Sequence, residues 1–331
     1  MVRQVCKRLV VVAAVLLLGI LTSSCPMSMD PGFYGTYGEG LWMIRLADPE
    51  YSETAIYQAI YYPSQDGVTV DPNAGECPLI MFAPGFNVPP LLYDSYGRQF
   101  ASWGYIVHMT WYFGFNNVVT TQDLSDHLDW MLEQNADPSS RFYQKIDESK
   151  IAVGGHSMGA KYVVMACMED DRFITGISLD PVDGAAGNGN AAMPNLVPER
   201  MDEVDEPILY IGAEYPSIFT PVDEDFWQFY SHSTSPAMSL RVLDSDHISF
   251  IDDVGGVLDF MGIAFGDHPD VDHDKAKNTA IRYIISWCNV FLKDDDSYWD
   301  YLTGPFAQQD VADALCEIHT NDALNALIPP P

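Results

Sequence analysis

The sequence predicts one doubly wound α/β domain, a mostly parallel sheet with helices on both faces. Three observations point there. Short apolar runs alternate with longer amphipathic ones along the chain. Several of the short runs are continuously apolar, as strands covered on both faces require. The 331 residues include 47% hydrophobic ones, enough for a sizeable core.

Residues 1–25 stand apart from that domain. Arg3, Lys7 and Arg8 give a basic start, "LVVVAAVLLLGIL" runs apolar from Leu9 to Leu21, and Thr22-Ser23-Ser24-Cys25 follows. A charged start, an apolar middle and small residues at the end form the layout of an export signal. The apolar run is short for a membrane span, which needs about 20 residues. Small residues ending in Cys25 resemble a bacterial lipoprotein cleavage site. The expectation is therefore an exported protein held at a membrane by lipid on Cys25, facing the periplasm or the cell exterior, with a secreted protein as the alternative. A Gly-, Pro- and Met-rich stretch follows, and residues 26–45 read as a linker before a domain over 46–331.

Strands are expected at "AIYQAIYY" (55–62), "PLIMFAP" (78–84), "GYIVHMTW" (104–111), "KIAVGG" (150–155), "ITGISLD" (174–180), "PILYIGA" (207–213) and "SLRVLD" (239–244). Helices are expected between them. "DLSDHLDWMLEQNA" (123–136) opens on acidic residues that suit a helix N-terminus and repeats Leu124, Leu128 and Leu132 at four-residue spacing. "KAKNTAIRYIISWCNVFLK" (275–293) is amphipathic throughout. In a sheet of this kind ligands bind beyond the C-terminal strand ends, so the residue just after each strand is where chemistry is sought.

"GGHSMGAKY" lies at such a place. Ser157 directly follows a strand and directly precedes the helical stretch "MGAKYVVMACMED", with Gly155 and Gly159 two residues to either side. This is the context of a nucleophilic serine on a sharp strand-to-helix turn, where flanking side chains would collide. The helix start also aims N–H groups and a positive dipole there. A reacting acyl oxygen needs donors, and the backbone N–H groups of Met158 and Phe86 are the candidates. Phe86 follows the strand "PLIMFAP" in "PGFN", where Gly85 permits close backbone approach.

The base and acid must come later in the chain. Of His232, His247, His268, His273 and His319, only His247 directly follows a late strand, in "DSDHISFIDD". Asp180 ends the strand "ITGISLD" and is the expected acid; Asp183 and Glu214 are the alternatives.

With these residues placed, the chain resembles the α/β hydrolases. "LIMFAPGFN", "FASWGYIV" and "IDESKIAVGGHSMGA" are similar to bacterial cutinases and polyester hydrolases. "GISLDPVDG" and "DHISFIDD" look like plant-type chlorophyllases, and the Ser157–Asp180 spacing is similar to platelet-activating-factor acetylhydrolases. The resemblance implies the α/β-hydrolase fold, Ser157, Asp180 and His247 as a triad, and Phe86 and Met158 as oxyanion donors. It implies a serine esterase acting on a small or lipid-like carboxylic ester, without a cofactor. Two departures bear on the substrate. Cutinases carry their acid after a later strand, where this chain has Pro216, and chlorophyllases carry Arg after the nucleophile, where it has Met158. The other readings are a non-catalytic hydrolase-fold lipoprotein that binds a lipid or partner, and an amidase or peptidase on the same three residues.

Further features set limits and expectations. Sixteen Lys and Arg against 47 Asp and Glu give a net charge of −31, which excludes nucleic acid as a partner because phosphate would be repelled. No CxxC occurs, so a zinc site of that type has no support. Cys288 and Cys316 are a candidate disulfide. "DHPDVDHD" (267–274) is an oxygen-rich loop to test for calcium. Residues 184–200 read as a flexible segment bordering the pocket as a lid, and "FWQFY" (226–230) as pocket lining or core.

Overall fold

The computed structural model describes residues 29–45, 55–112, 116–183, 191–217, 220, 226–253 and 271–330. Residues 1–25, His268, Asp267, Asp270 and Gly184–Asn190 lie outside the described residues, as do the expectations placed on them. Pro31–Pro331 form one compact unit.

Among the described residues, nine strands make one sheet: β1 (Glu39–Ile44), β2 (Ala55–Pro63), β3 (Cys77–Ala83), β4 (Ile106–Tyr112), β5 (Ile146–His156), β6 (Thr175–Leu179), β7 (Ile208–Ala213), β8 (Ala237–Val242) and β9 (Cys316–Thr320). Their order is β1-β2-β4-β3-β5-β6-β7-β8-β9. From β4 to β8 all pairings are parallel; β1, β2 and β9 are antiparallel to their neighbours. All seven expected strands are present, each within a few residues of its expected ends.

Alternate residues of each central strand feed two cores. Ile80, Phe82, Ile177, Leu179, Leu209 and Ile211 face one side, where α1 (Asp94–Ser102) and α5 (His273–Lys293) cover them. Leu79, Met81, Ile208 and Tyr210 face the other, under α2 (Asn117–Ala136), α3 (Met158–Glu169) and α4 (Phe226–His232). The chain runs from β3 to β4 on one side and returns to place β5 on the other. That reversal opens a crevice between the loops after β3 and β5.

Three expectations need correction. Part of the predicted linker belongs to the domain: β1 pairs residue for residue with β2, and Trp42 packs on Trp130 and Phe142. Ahead of it, Gly35 donates to Ser102 Oγ, and a Cβ on Gly35 would lie 2.1 Å from the Ser102 carbonyl oxygen. The small residues that read as linker allow this close backbone packing.

Cys288 and Cys316 are not bonded; with Cys77 and Cys167 they are free and buried. Burial raises all four thiols above their usual range, to about 11 for Cys77 and Cys316, which keeps them protonated and inert.

The described part of the expected lid, residues 191–200, is tied down. Leu196 is fully buried, the Asp183 carboxylate accepts from the N–H groups of Leu196 and Val197, and Ala192 O accepts from Asn117 N at 2.7 Å.

Candidate active site

Ser157 sits between β5 and α3 with φ 60° and ψ −123°, a conformation that costs a residue with a side chain about 1–3 kcal/mol. Three backbone bonds hold it. Ser157 N donates to Leu179 O at 2.9 Å, and Ser157 O accepts from Ala160 N at 3.1 Å and Val182 N at 3.2 Å. The flanking glycines are required by contact as well. A Cβ on Gly155 would lie 2.4 Å from Gly159 O.

The Ser157 hydroxyl lies 2.9 Å from His247 Nε2, and His247 Nδ1 lies 2.6 Å from Asp180 Oδ2. His247 and Asp180 are both buried. Asp180 follows β6 with φ 46°, and its other oxygen accepts from Ala213 N at 2.9 Å at the end of β7. His247 opens a 3-10 turn, His247–Phe250, in the loop beyond β8. A capping box fixes that turn: Asp246 accepts from Ser249 N and Ser249 Oγ accepts from Asp246 N, each at 3.0 Å. The residues predicted as nucleophile, base and acid thus form one hydrogen-bonded chain from three strand ends.

The alternatives are engaged elsewhere. Asp183 pairs with the buried Lys161 at 3.4 Å. Glu214 accepts from Asp244 N at 2.7 Å. His232 Nδ1 turns back to Gln228 O, His319 packs on Trp227, and His273 meets Ser249 Oγ at 3.0 Å behind the His247 turn. Phe226 and Phe229 of "FWQFY" are buried, Phe229 against Tyr210, so they are core rather than pocket lining. Asp272 caps α5 through Lys275 N and Asp274 pairs with Lys277, so both carboxylates of the described part of 267–274 serve the chain itself. Among the described residues no group of three or more His, Cys, Asp or Glu converges on a metal position.

Two backbone groups near the serine are the expected oxyanion donors. Met158 opens α3, so its N–H is outside the helical ladder. Gly85 lies against the serine: a Cβ there would be 3.3 Å from Ser157 Cβ. The turn closes with Val88 N on Gly85 O at 2.9 Å, and Asn87 adopts φ 56°. Gly85 N–H is itself taken by Tyr93 OH at 3.0 Å, and the next N–H along the chain belongs to Phe86. The Phe86 ring is 37% exposed and is not part of the core.

Two residues that the sequence does not single out, His156 and Tyr93, lie beside these groups. His156 Nδ1 lies 2.7 Å from Tyr93 OH and its Nε2 lies 3.1 Å from His247 O. An aromatic residue in an apolar stretch carries no signal that separates this role from ordinary packing.

The family described as chlorophyllase matches residues 54–307, more than three quarters of the chain. The chain belongs to the chlorophyllase family. The nine-stranded mixed sheet with helices on both faces is an α/β-hydrolase fold, as expected. This chlorophyllase-family chain is also similar to proteins of other names. It is 22% identical over 276 residues to a platelet-activating factor acetylhydrolase of Cavia porcellus, covering 68% of this chain and 60% of the relative. It is 26% identical over 162 residues to the Bos taurus protein of the same name, covering 47% and 33%. A bis(hydroxyethyl) terephthalate hydrolase of Streptomyces coelicolor is 26% identical over 307 residues, covering 88% of this chain and 83% of the relative. The match thus spans 60% or less of the length of the two acetylhydrolases.

Proposed function

We propose that the protein is an exported serine hydrolase that cleaves a carboxylic ester through an acyl-enzyme. The observation that carries this is the Ser157–His247–Asp180 chain of hydrogen bonds at 2.9 and 2.6 Å. Ser157 Oγ attacks the ester carbonyl while His247 Nε2 takes its proton. The tetrahedral oxygen, now negative, accepts from the N–H groups of Phe86 and Met158. Collapse breaks the C–O bond, and the imidazolium returns the proton to the departing alcohol oxygen. Water then enters, gives a proton to His247 and attacks the acyl carbon; the acid leaves and Ser157 regains its proton. Asp180 holds the Nδ1–H tautomer and stabilises the imidazolium without taking the proton.

Ester chemistry is supported by the family and by relatives whose names are those of an acetylhydrolase and a terephthalate ester hydrolase. The test compares wild type with Ser157→Ala on p-nitrophenyl acetate and butyrate, bis(hydroxyethyl) terephthalate and a pheophorbide ester. Wild type is expected to turn over at least one of these and to be labelled by a fluorophosphonate at Ser157. Ser157→Ala is expected to lose about 10³-fold or more in kcat. Equal rates in both proteins would sink the reading.

We further propose that residues 1–25 direct export and that Cys25 carries the lipid anchor, on the charge, apolar run and small residues of that segment. Radiolabelled palmitate should enter the full chain expressed in a bacterial host and be absent from Cys25→Ala. Equal labelling of the two would refute the anchor.

A further inference from the structure

A buried line of hydrogen bonds joins the three loops of the candidate site behind the reacting groups. It runs from Gly85 N to Tyr93 OH at 3.0 Å, from Tyr93 OH to His156 Nδ1 at 2.7 Å, and from His156 Nε2 to His247 O at 3.1 Å. Tyr93 is fully buried and His156 is 3% exposed. The direction of every bond follows from its ends. An amide N–H can only donate, so the Tyr93 oxygen accepts from Gly85. Its proton is then directed at His156 Nδ1. A carbonyl can only accept, so His156 Nε2 carries the ring proton. The line is satisfied with His156 neutral and in one tautomer.

A proton added at Nδ1 would leave two donors facing each other at Tyr93. It would also place a positive ring 4.8 Å from the His247 ring, opposing the imidazolium formed there. Burial pushes the His156 pKa well below its ordinary value, which removes that competition.

We propose that Tyr93 and His156 are positioning residues that lock the Pro84–Gly85–Phe86 turn to the backbone of His247. They fix the spacing between the oxyanion donor and the base, an inference that rests on the triad reading above. The turn carries the Phe86 N–H, and Gly85 is its only residue held by this line. Without the Tyr93 hydroxyl, Gly85 N–H is left buried without its acceptor, and the turn is free to rotate away from the serine. Donors help only where they meet the oxygen of the tetrahedral state, so such loosening raises the barrier and leaves ground-state binding in place.

The test uses wild type, Tyr93→Phe, His156→Asn and His156→Leu. It reads kcat and KM for p-nitrophenyl acetate and Ki for an aryl trifluoromethyl ketone, whose serine adduct bears the oxyanion. Tyr93→Phe is expected to lower kcat about 10- to 100-fold with KM within about twofold. Ki should rise by the factor by which kcat/KM falls, because both report the same tetrahedral state. His156→Leu should follow Tyr93→Phe. His156→Asn, whose amide oxygen can stand near the Nδ1 position, should recover most of the ketone affinity.

Wild-type values in Tyr93→Phe would overturn the proposal. So would kcat losses without matching losses in ketone affinity, or equal damage from His156→Asn and His156→Leu. Should Tyr93→Phe fail to fold, the His156 pair decides alone. Failure of the triad reading looks different: wild type itself would neither hydrolyse esters nor label at Ser157, and both readings would fall.

Discussion

A methyl group on Gly159 would meet Ala83 O at 2.0 Å and Pro84 O at 2.5 Å. Both are backbone atoms of the strand and turn that carry Gly85, so neither can rotate aside. The small residue two places after Ser157 therefore sets how closely α3 approaches the end of β3, and with it how near the Phe86 turn lies to the serine. Gly159→Ala is expected to cost about 1–3 kcal/mol from overpacking, and to lower ester turnover more than Gly67→Ala at an open surface turn. Urea midpoints and kcat for the two variants check this; a Gly159→Ala protein with wild-type stability and rate would refute it. Ser157 and Asp180 were legible because each falls immediately beyond a strand that could be recognised by its run, and His247 because it lies in the loop that follows β8. Lys161 was not. Its ammonium, with 1% side-chain exposure, meets both the carboxylate and the carbonyl of Asp183, a contact set by packing between α3 and the loop after β6. Only the fold reveals that this lysine pins the loop after β6.

The central elements and the edges differ in how they can be read. β3 is buried along its whole length and appears as an uninterrupted apolar run; β6 is equally buried, with Thr175 and Ser178 among its apolar residues. β1 and β9 are antiparallel edge strands with mixed burial, and their sequences, "EGLWMI" and "CEIHT", carry only a faint period of two. They were missed for that reason. α2 begins at Asn117, six residues before the expected helix start at Asp123. Val118, Val119, Thr120 and Thr121 are poor helix formers by propensity. The Asn116 side chain accepts from Val119 N, and the two threonine hydroxyls return to the carbonyls of Asn116 and Asn117. This extra turn buries Asn117 beside Met158, with its amide 3.2 Å from Met158 Sδ. An N-terminal extension that sequence propensity disfavours thus forms the wall behind the first residue of α3. The free cysteines follow from the same packing: Cys316 sits opposite Val242 in the sheet, 3.4 Å from Tyr283 OH, while Cys288 is enclosed in α5.

At the scale of the whole molecule, two ionic effects compete as pH falls. The chain carries a net charge of −31, and protonating carboxylates relieves its self-repulsion, chiefly near and below their ordinary pKa of about 4. His108, His127 and His156 act the other way and at higher pH. All three are buried, and burial pushes His127 down to about 3 and the other two well below their ordinary value. The unfolded chain binds a proton at each below about pH 6.5, while the folded chain does not. More protons on the unfolded state means that stability falls as pH falls, starting near the unfolded pKa and continuing to the folded one. Each histidine adds a slope approaching about 1.4 kcal/mol per pH unit in that window. Between about pH 7.5 and about pH 5.5, in about 0.5 M NaCl to screen surface charge, the urea midpoint is expected to drop. His127→Gln should flatten the fall by one histidine's share, because a neutral amide titrates in neither state. A midpoint that stays level or rises over this range would mean that relief of the acidic surface outweighs the buried histidines, contrary to the expectation.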